Sequence, residues 1–192
     1  MGHLMRSLAL AEEAKYEGYS VAFITTPYLK EAVAKIKKNG FKVFELPISK
    51  RWYWKKDAKQ TVKIMNSSGD GSKKWLVLDN YFFNPEYQKF IKDTGAYLAF
   101  IDDMADQKIL ADLLINHGIH AKSLRYKVDP GVRCLLGPKY ALLRGEIVSG
   151  ARNLKGRDRA AKNILVALGG AAKSKNVKKV YAALCRLGQD NL

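Results

Sequence analysis

Short apolar runs alternate with helical patterns along most of this sequence, and that alternation constrains the fold more than any other feature. The strand-like runs are SVAFIT (20–25), KVFELP (42–47), WLVLDN (75–80), AYLAFIDD (96–103), ADLLIN (111–116) and CLLG (134–137). Helical segments separate the early runs, and two of them end at Gly40 and Gly95, as C-capping glycines do. Strands that alternate with helices are typical of a parallel sheet. The sequence therefore predicts an α/β protein.

The chain opens on MGHLMRSLALAEEA, in which apolar residues repeat at helical spacing. The stripe consists of Leu4, Met5, Leu8, Ala9 and Ala11. This pattern predicts an amphipathic helix that ends near Gly18 and has Gly2 and His3 at its N-terminus. Free backbone N–H groups and the helix dipole make such a terminus attractive to anions. The alternative is that Gly2 and His3 are a vector-derived remnant or a frayed, solvated end.

Charge and cysteine content limit the protein classes that need to be considered. The 34 Lys and Arg against 18 Asp and Glu give a formal charge of +16, which attracts phosphate-bearing partners. The basic residues are spread evenly, with 17 before residue 101 and 17 after it, as on a solvated basic surface. Cys134 and Cys185 lack metal-ligand spacing and are expected to be reduced thiols. Without an apolar run of membrane-spanning length or a signal peptide, we expect a cytoplasmic protein.

Polar residues follow three of the predicted strands. They are Asp79, Asn80 and Tyr81; Asp102 and Asp103; and Asn116 and His117. Ligands of parallel sheets bind beyond the carboxyl ends of the strands, so this edge is the expected site. Each residue taken alone is also an ordinary turn former. Asp102 and Asp103 should point to opposite faces because they are adjacent on a strand, and we interpret Asp103 as a turn or helix cap.

The composition changes near residue 162. A basic stretch over 151–162 is interpreted as a linker, and NILVALGG then predicts a strand that runs into Gly169 and Gly170. A helix is predicted after the glycines, and such a turn lets backbone approach a phosphate closely. One strand and one helix are too little to bury a core.

Several ordered motifs resemble one enzyme family. They are GHLMRSLALAEEA, the DNY tripeptide, FIDDMAD, ADLLIN, a lone Tyr126, LLGPKYALLRGEI and ILVALGG. In this order they resemble the UDP-sugar hydrolases of pseudaminic acid biosynthesis and their spore-coat polysaccharide relatives. The resemblance covers nearly the whole chain, and its most specific parts are G-H-x-M-R and L-L-G-P-x-Y-A-L-L-R.

The resemblance implies a Rossmann-like parallel sheet within a two-domain GT-B-type fold, like that of the peptidoglycan enzyme that adds N-acetylglucosamine. Residues 1–150 would form the N-terminal sugar and catalytic domain, and residues 163–192 would begin the nucleotide-binding domain. In the family a strand and a Gly-rich loop precede the Gly-His pair. The resemblance therefore implies a fragment without its first strand and without most of its C-terminal domain, and we expect such a fragment to be inactive in isolation.

The chemistry implied by the resemblance is hydrolysis of a UDP-2,4-diacetamido-2,4,6-trideoxyhexose. Water attacks the anomeric carbon with inversion, and UDP and the free sugar are released without a metal or another cofactor. His3 matches the histidine that positions or deprotonates the water, a role that suits an imidazole. Tyr81 matches a tyrosine that lines the sugar site. The resemblance also implies a monomer with a UDP-sugar as its partner, and no membrane or nucleic-acid partner.

Other site residues follow from the same resemblance. Gly2 allows substrate to approach the backbone, and Asp79 organises the loop before Tyr81. The further substrate-binding positions are Arg6, Asn116, Tyr126 and Tyr140, and Arg144 also matches a recurring position. Gly169 and Gly170 match the diphosphate loop, but Ala171 and Ala172 stand where the family has a polar pair. Structural ion pairs for the arginines and simple packing for the tyrosines are the alternatives.

Two other functions compete with the hydrolase. A glycosyltransferase of the same fold would use a sugar hydroxyl in place of water, and the fold alone does not separate the two. A basic nucleic-acid-binding module is consistent with the charge of +16, although the sequence contains no recognised nucleic-acid-binding motif. Binding that falls steeply with salt and survives the loss of His3 would identify such a module.

Overall fold

Helices and parallel strands alternate in the structure, a computed structural model that describes residues 2–47, 52–67, 73–152, 164–168 and 174–191. The helices are α1 (Gly2–Tyr16), α2 (Lys30–Lys38), α3 (Trp54–Ser67), α4 (Pro85–Lys92), α5 (Gly145–Arg152) and α6 (Ser174–Asn191). The strands are β1 (Ala22–Thr25), β2 (Lys42–Glu45), β3 (Trp75–Leu78), β4 (Tyr97–Ile101), β5 (Lys108–Ile109), β6 (Leu113–Asn116), β7 (Lys127–Val128) and β8 (Arg133–Leu136). The prediction of an α/β protein with Rossmann-like parallel sheets is confirmed.

The strands form three parallel sheets. The largest has the order β3-β4-β6-β8, while β1 pairs with β2 and β5 pairs with β7. The first five predicted strand runs each contain one observed strand, and the sixth, CLLG (134–137), overlaps β8, which begins one residue earlier at Arg133. The two-residue strands β5 and β7 were not predicted, because a periodic pattern cannot emerge from two residues.

The central strands of the four-stranded sheet are buried on both faces. Leu98, Phe100 and Leu114 have no exposed surface, as expected for parallel strands covered by helices on both sides. Together with Tyr87 and Ile91 of α4 they belong to the larger hydrophobic cluster of the protein. Gln88 is buried in the same region, where its side chain donates to the carbonyl of Phe83 and accepts from the N–H of Leu110. The larger core therefore lies between α3, α4 and the four-stranded sheet.

A second hydrophobic cluster lies on α1, α2 and the β1–β2 pair. Leu8 and Ala11 of α1 pack with Ile36 of α2 and with Phe41, which precedes β2. The predicted stripe of α1 is confirmed by the burial of Leu8, Ala9 and Ala11. Because Leu8 and Ala11 hold α1 in this cluster, the orientation of the helix is fixed, and so are the directions of its other side chains.

Glycines end two of the helices as the sequence predicts. Gly40 and Gly95 have φ values of 75° and 82°, in the left-handed region that favours glycine. Asn84 caps the start of α4, where its side chain accepts from the N–H of Tyr87 at 3.0 Å. These local signals fix the ends of α2 and α4.

The chain divides into two compact units between Ser149 and Gly150. In the second unit, residues 164–168 are exposed and form no strand, contrary to the prediction for NILVALGG. An extended segment needs a neighbouring strand to complete its hydrogen bonds, and none pairs with it within the described ranges. The helix predicted to follow is present as α6. Most of the basic linker lies outside the described residues, and the division into 1–150, 151–162 and 163–192 stays a prediction.

Candidate functional site

The first turns of α1 meet the carboxyl end of β3 at a single carboxylate, that of Asp79. His3, Arg6 and Ser7 all place a side-chain polar atom on it. These three residues are spaced i, i+3 and i+4, so they share one face of the helix. Asp79 directly follows β3, at the sheet edge where the sequence predicts a site. The structure therefore brings together His3, Arg6 and Asp79, and it adds Ser7, which sequence reasoning did not identify.

Asp79 is the buried centre of this cluster. Its side chain is 7% exposed, and its Oδ2 accepts from Arg6 Nε at 2.8 Å and from Ser7 Oγ at 3.0 Å. A second Arg6 nitrogen, Nη2, donates to Oδ1, so the guanidinium binds the carboxylate with two nitrogens. Burial alone would raise the pKa of Asp79, but hydrogen bonds from Arg6 and His3 outweigh it and hold the pKa below its ordinary value. Asp79 is therefore ionised at neutral pH.

The contact of His3 with Asp79 assigns the tautomer of the imidazole. Nδ1 of His3 lies 2.7 Å from Oδ1 of Asp79, and Nη2 of Arg6 lies 3.0 Å from the same Nδ1. An ionised carboxylate can only accept and a guanidinium can only donate. The shorter contact places the proton on Nδ1, which donates to Asp79, and leaves Nε2 as the basic nitrogen. The His3 side chain is 39% exposed, so the imidazole is accessible to ligand and water.

Tyr81 lies against the imidazole of His3. The two ring centroids are 5.2 Å apart and the planes are nearly perpendicular, at 79°. The tyrosine is 51% exposed. Partial burial and the nearby Asp103 carboxylate raise the pKa of the Tyr81 hydroxyl, which therefore stays protonated at neutral pH. A donor hydroxyl and a basic nitrogen thus adjoin the same open surface.

Asp102 and Asp103 point in different directions, as predicted for neighbours at a strand end. Asp102 is 2% exposed, and burial raises the pKa of its carboxyl. Asp103 faces the cluster instead, with Oδ2 3.9 Å from Nη1 of Arg6. The chain runs on from Asp103 through a turn to β5, so the interpretation as a helix cap is wrong, while the turn is present.

Asn116, which is buried, and Tyr126, which is half-buried, are joined in a hydrogen-bond network with the backbone of Asp102. Asn116 donates to the Tyr126 hydroxyl at 2.6 Å and accepts from the N–H of Gly118 at 2.7 Å. The Tyr126 hydroxyl then donates to the backbone carbonyl of Asp102 at 3.0 Å. Both side chains already have hydrogen-bond partners within the protein. His117 has a buried Nδ1 without a partner among the described residues.

The other predicted positions, Gly2, Tyr140 and Arg144, form no side-chain hydrogen bond or ion pair with Asp79 in the part of the chain that the structure describes. A Cβ built at Gly2 meets no atom within 4 Å, so the backbone there is accessible. Tyr140 ends a short 3₁₀ helix, and Nζ of Lys139 lies 4.8 Å from the centre of its ring. Arg144 pairs with Glu146, and both line a cleft of about 190 Å³ beside α1 and α2. These contacts do not bring Tyr140 or Arg144 to His3.

Gly169 and Gly170 lie outside the described residues. Cys134 and Cys185 are both exposed and free. Across the part of the chain that the structure describes, no three His, Cys, Asp or Glu residues are grouped so that they could hold a metal ion. Over the same residues, no helix combines the length and apolarity needed to span a membrane.

Comparison with known proteins gives one distant relative and no family. No family model matches the chain. An uncharacterized protein of Methanocaldococcus jannaschii, MJ1062, is 26% identical over 197 residues, which cover 99% of this chain and 38% of the relative. The chain therefore spans well under half the length of that protein, to which it is similar from end to end.

Proposed function

We propose that this chain carries the water-activating site of a sugar-nucleotide hydrolase, and that its sheet is the N-terminal part of a GT-B-type fold. The observation that carries the proposal is the hydrogen bond from His3 Nδ1 to the buried carboxylate of Asp79. A buried carboxylate that fixes one ring nitrogen leaves the other as a general base. The resemblance of GHLMR, DNY and LLGPKYALLR to UDP-sugar hydrolases supplies the substrate class.

In the proposed reaction, Nε2 of His3 accepts a proton from a water molecule as its oxygen attacks the anomeric carbon. The bond between that carbon and the diphosphate oxygen breaks, and UDP leaves with the electron pair. Asp79 stabilises the imidazolium that forms and does not itself take the proton. Because UDP is stable as an anion, the leaving group needs little help from an acid at this site. His3 is therefore the catalytic residue of the proposal.

Arg6, Ser7 and Tyr81 serve the same geometry in different ways. Arg6 and Ser7 donate hydrogen bonds to Oδ2 of Asp79. These bonds fix the orientation of the carboxylate, whose Oδ1 faces His3. Tyr81 packs against the imidazole and lines the proposed sugar site. The uridine and diphosphate would be bound by the second domain, where Gly169 and Gly170 belong in this proposal.

The test is release of UDP from UDP-2,4-diacetamido-2,4,6-trideoxy-L-altrose by the full-length protein that contains both predicted domains, measured with a coupled assay. His3→Ala should lower the rate by about 10²–10⁴-fold, the range lost with a positioned general base. His120→Ala is the matched control, because His120 is exposed and lies at a 3₁₀ helix away from α1. If the full-length protein releases UDP only when a sugar acceptor is added, the glycosyltransferase is the correct function. No release under either condition refutes the proposal.

A further inference from the structure

The turn after β4 directs a second carboxylate towards the His3 cluster. Oδ2 of Asp103 lies 3.9 Å from Nη1 of Arg6. After burial, the charge of Asp103 is the next cause that raises the pKa of the Tyr81 hydroxyl. The Asp103 side chain is 41% exposed, so much of it faces solvent. Asp103 thus adjoins the same open surface as His3 and Tyr81.

The two carboxylates beside Arg6 differ in what they can still bind. Asp79 accepts hydrogen bonds from three residues and is nearly buried, so its oxygens have no room for a ligand. Among the described residues, the ion pair of Asp103 is its 3.9 Å contact with Arg6. An ionised carboxylate offers about four acceptor positions. Asp103 is therefore the carboxylate of this site with acceptor capacity to spare.

Buried neighbours hold the turn that carries Asp103. Oδ2 of Asp102 accepts from the N–H of Ala105 at 2.9 Å, and Tyr126 donates to the carbonyl of Asp102. Ala105 has a φ of 54°, the left-handed region that a residue other than glycine enters at a cost of about 1 kcal/mol. The carboxylate of Asp103 is therefore positioned by a fixed turn rather than by a free loop.

The local charge indicates which part of a ligand this carboxylate can contact. Asp79 and Asp103 together bring two negative charges to one Arg6, in a chain whose formal charge is +16. At Asp103 itself, this local negative charge disfavours a diphosphate and favours neutral groups that donate hydrogen bonds, whereas the N-terminus of α1 favours anions. Hydroxyl and amide N–H groups are donors of that kind. The diphosphate of a sugar nucleotide is thus expected to lie away from Asp103.

We propose that Asp103 is a sugar-binding residue, whose carboxylate accepts hydrogen bonds from hydroxyl or amide N–H groups of the substrate's sugar. The inference rests on the proposed function, because it takes a sugar nucleotide as the ligand. It assigns to Asp103 the discrimination between sugars that carry donors at the contacted position and sugars that lack them. Such discrimination is strong, because a sugar without the donor would leave the charged Asp103 carboxylate without a hydrogen bond in the complex.

The test compares Asp103→Asn with Asp106→Asn, an exposed aspartate of the same connection between β4 and β5. Binding of UDP-2,4-diacetamido-2,4,6-trideoxy-L-altrose and of UDP alone is measured by calorimetry with the full-length protein in a His3→Ala background, where the substrate survives. Asp103→Asn should weaken binding of the UDP-sugar about tenfold and change binding of UDP less than twofold. In the background with His3 intact, the KM should rise more than kcat falls. Asp106→Asn should leave both affinities, the KM and kcat unchanged.

Two results overturn the inference. One is an Asp103→Asn variant that binds the UDP-sugar as tightly as the unchanged protein, and the other is an equal loss of affinity for the UDP-sugar and for UDP. If the unchanged protein neither binds nor cleaves the UDP-sugar, the proposed function itself fails and this inference fails with it. Thermal unfolding of each variant shows whether a loss of binding reflects a loss of fold, and Asp103→Glu, which keeps the charge, should recover part of the affinity.

Discussion

His3 and Asp79 are 76 positions apart in the sequence, yet their side chains are joined by a hydrogen bond of 2.7 Å. One residue lies in the first turn of α1 and the other directly follows β3. The contact assigns a proton to Nδ1 of the imidazole and leaves Nε2 basic. Most of what we propose for this protein depends on that assignment.

Asp79→Asn should therefore lower UDP release by at least about 100-fold while the fold is retained. The asparagine amide can donate to Nδ1, which would then carry no proton, so the proton would move to Nε2 and the base would be lost. The ring nitrogen signals of His3 in an NMR spectrum report the tautomer directly. A variant with normal activity, or with the proton still on Nδ1, would show that Asp79 does not orient the base.

Arg6→Met should destabilise the protein by about 3 kcal/mol, because it leaves the nearly buried Asp79 carboxylate without its cation. The double variant Arg6→Met, Asp79→Leu should recover part of that loss, since it removes the unpaired charge. The free energy of unfolding in urea, measured for the single and double variants, gives the coupling energy. Additive losses would contradict a direct interaction between the two side chains.

The acid stability of the protein should depend on Asp79. Folding lowers the pKa of this carboxyl from its ordinary value near 3.8, so the folded state binds the proton less tightly than the unfolded chain. The stabilisation is fully present above that value and is lost as the pH falls through the lower pKa of the folded state. Urea unfolding between pH 6 and pH 2 should show the advantage over Asp79→Asn shrinking below about pH 4. An advantage that is constant over this range would contradict the shift.

Gly95→Ala should cost about 1 kcal/mol of stability, because Gly95 has a φ of 82° and a side chain strains that backbone. A Cβ at this position meets no atom within 4 Å, so the expected loss comes from the backbone and not from a clash. Gly145→Ala is the control: its Cβ is also in open space, and its φ lies outside the strained region. Equal melting temperatures for the two variants would refute this explanation.

Local signals in the sequence predicted the main elements because each signal acts within a few residues. The stripe of α1, the glycines that end α2 and α4, and the six apolar runs all belong to that class. The directions of loop side chains depend instead on residues that are distant in the sequence, so no local signal predicts them. Asp103 resembles any turn-forming aspartate until the sheet places it beside Arg6, and Ser7 carries no signal of its own until Asp79 approaches it. The strand expected at 164–168 required a pairing partner, which no pattern within the run can supply.

The contact between His3 and Asp79 persists only while the two hydrophobic clusters described above stay together. Leu8 and Ala11 anchor α1, which carries His3, in one cluster, whereas Leu78, the neighbour of Asp79, is buried in the other. The imidazole and the carboxylate that orients it thus belong to regions with separate cores. Partial opening between the regions would separate the imidazole of His3 from the carboxylate of Asp79 while each core stayed intact. Hydrogen exchange at α1 and loss of activity would then report the same event, well before global denaturation.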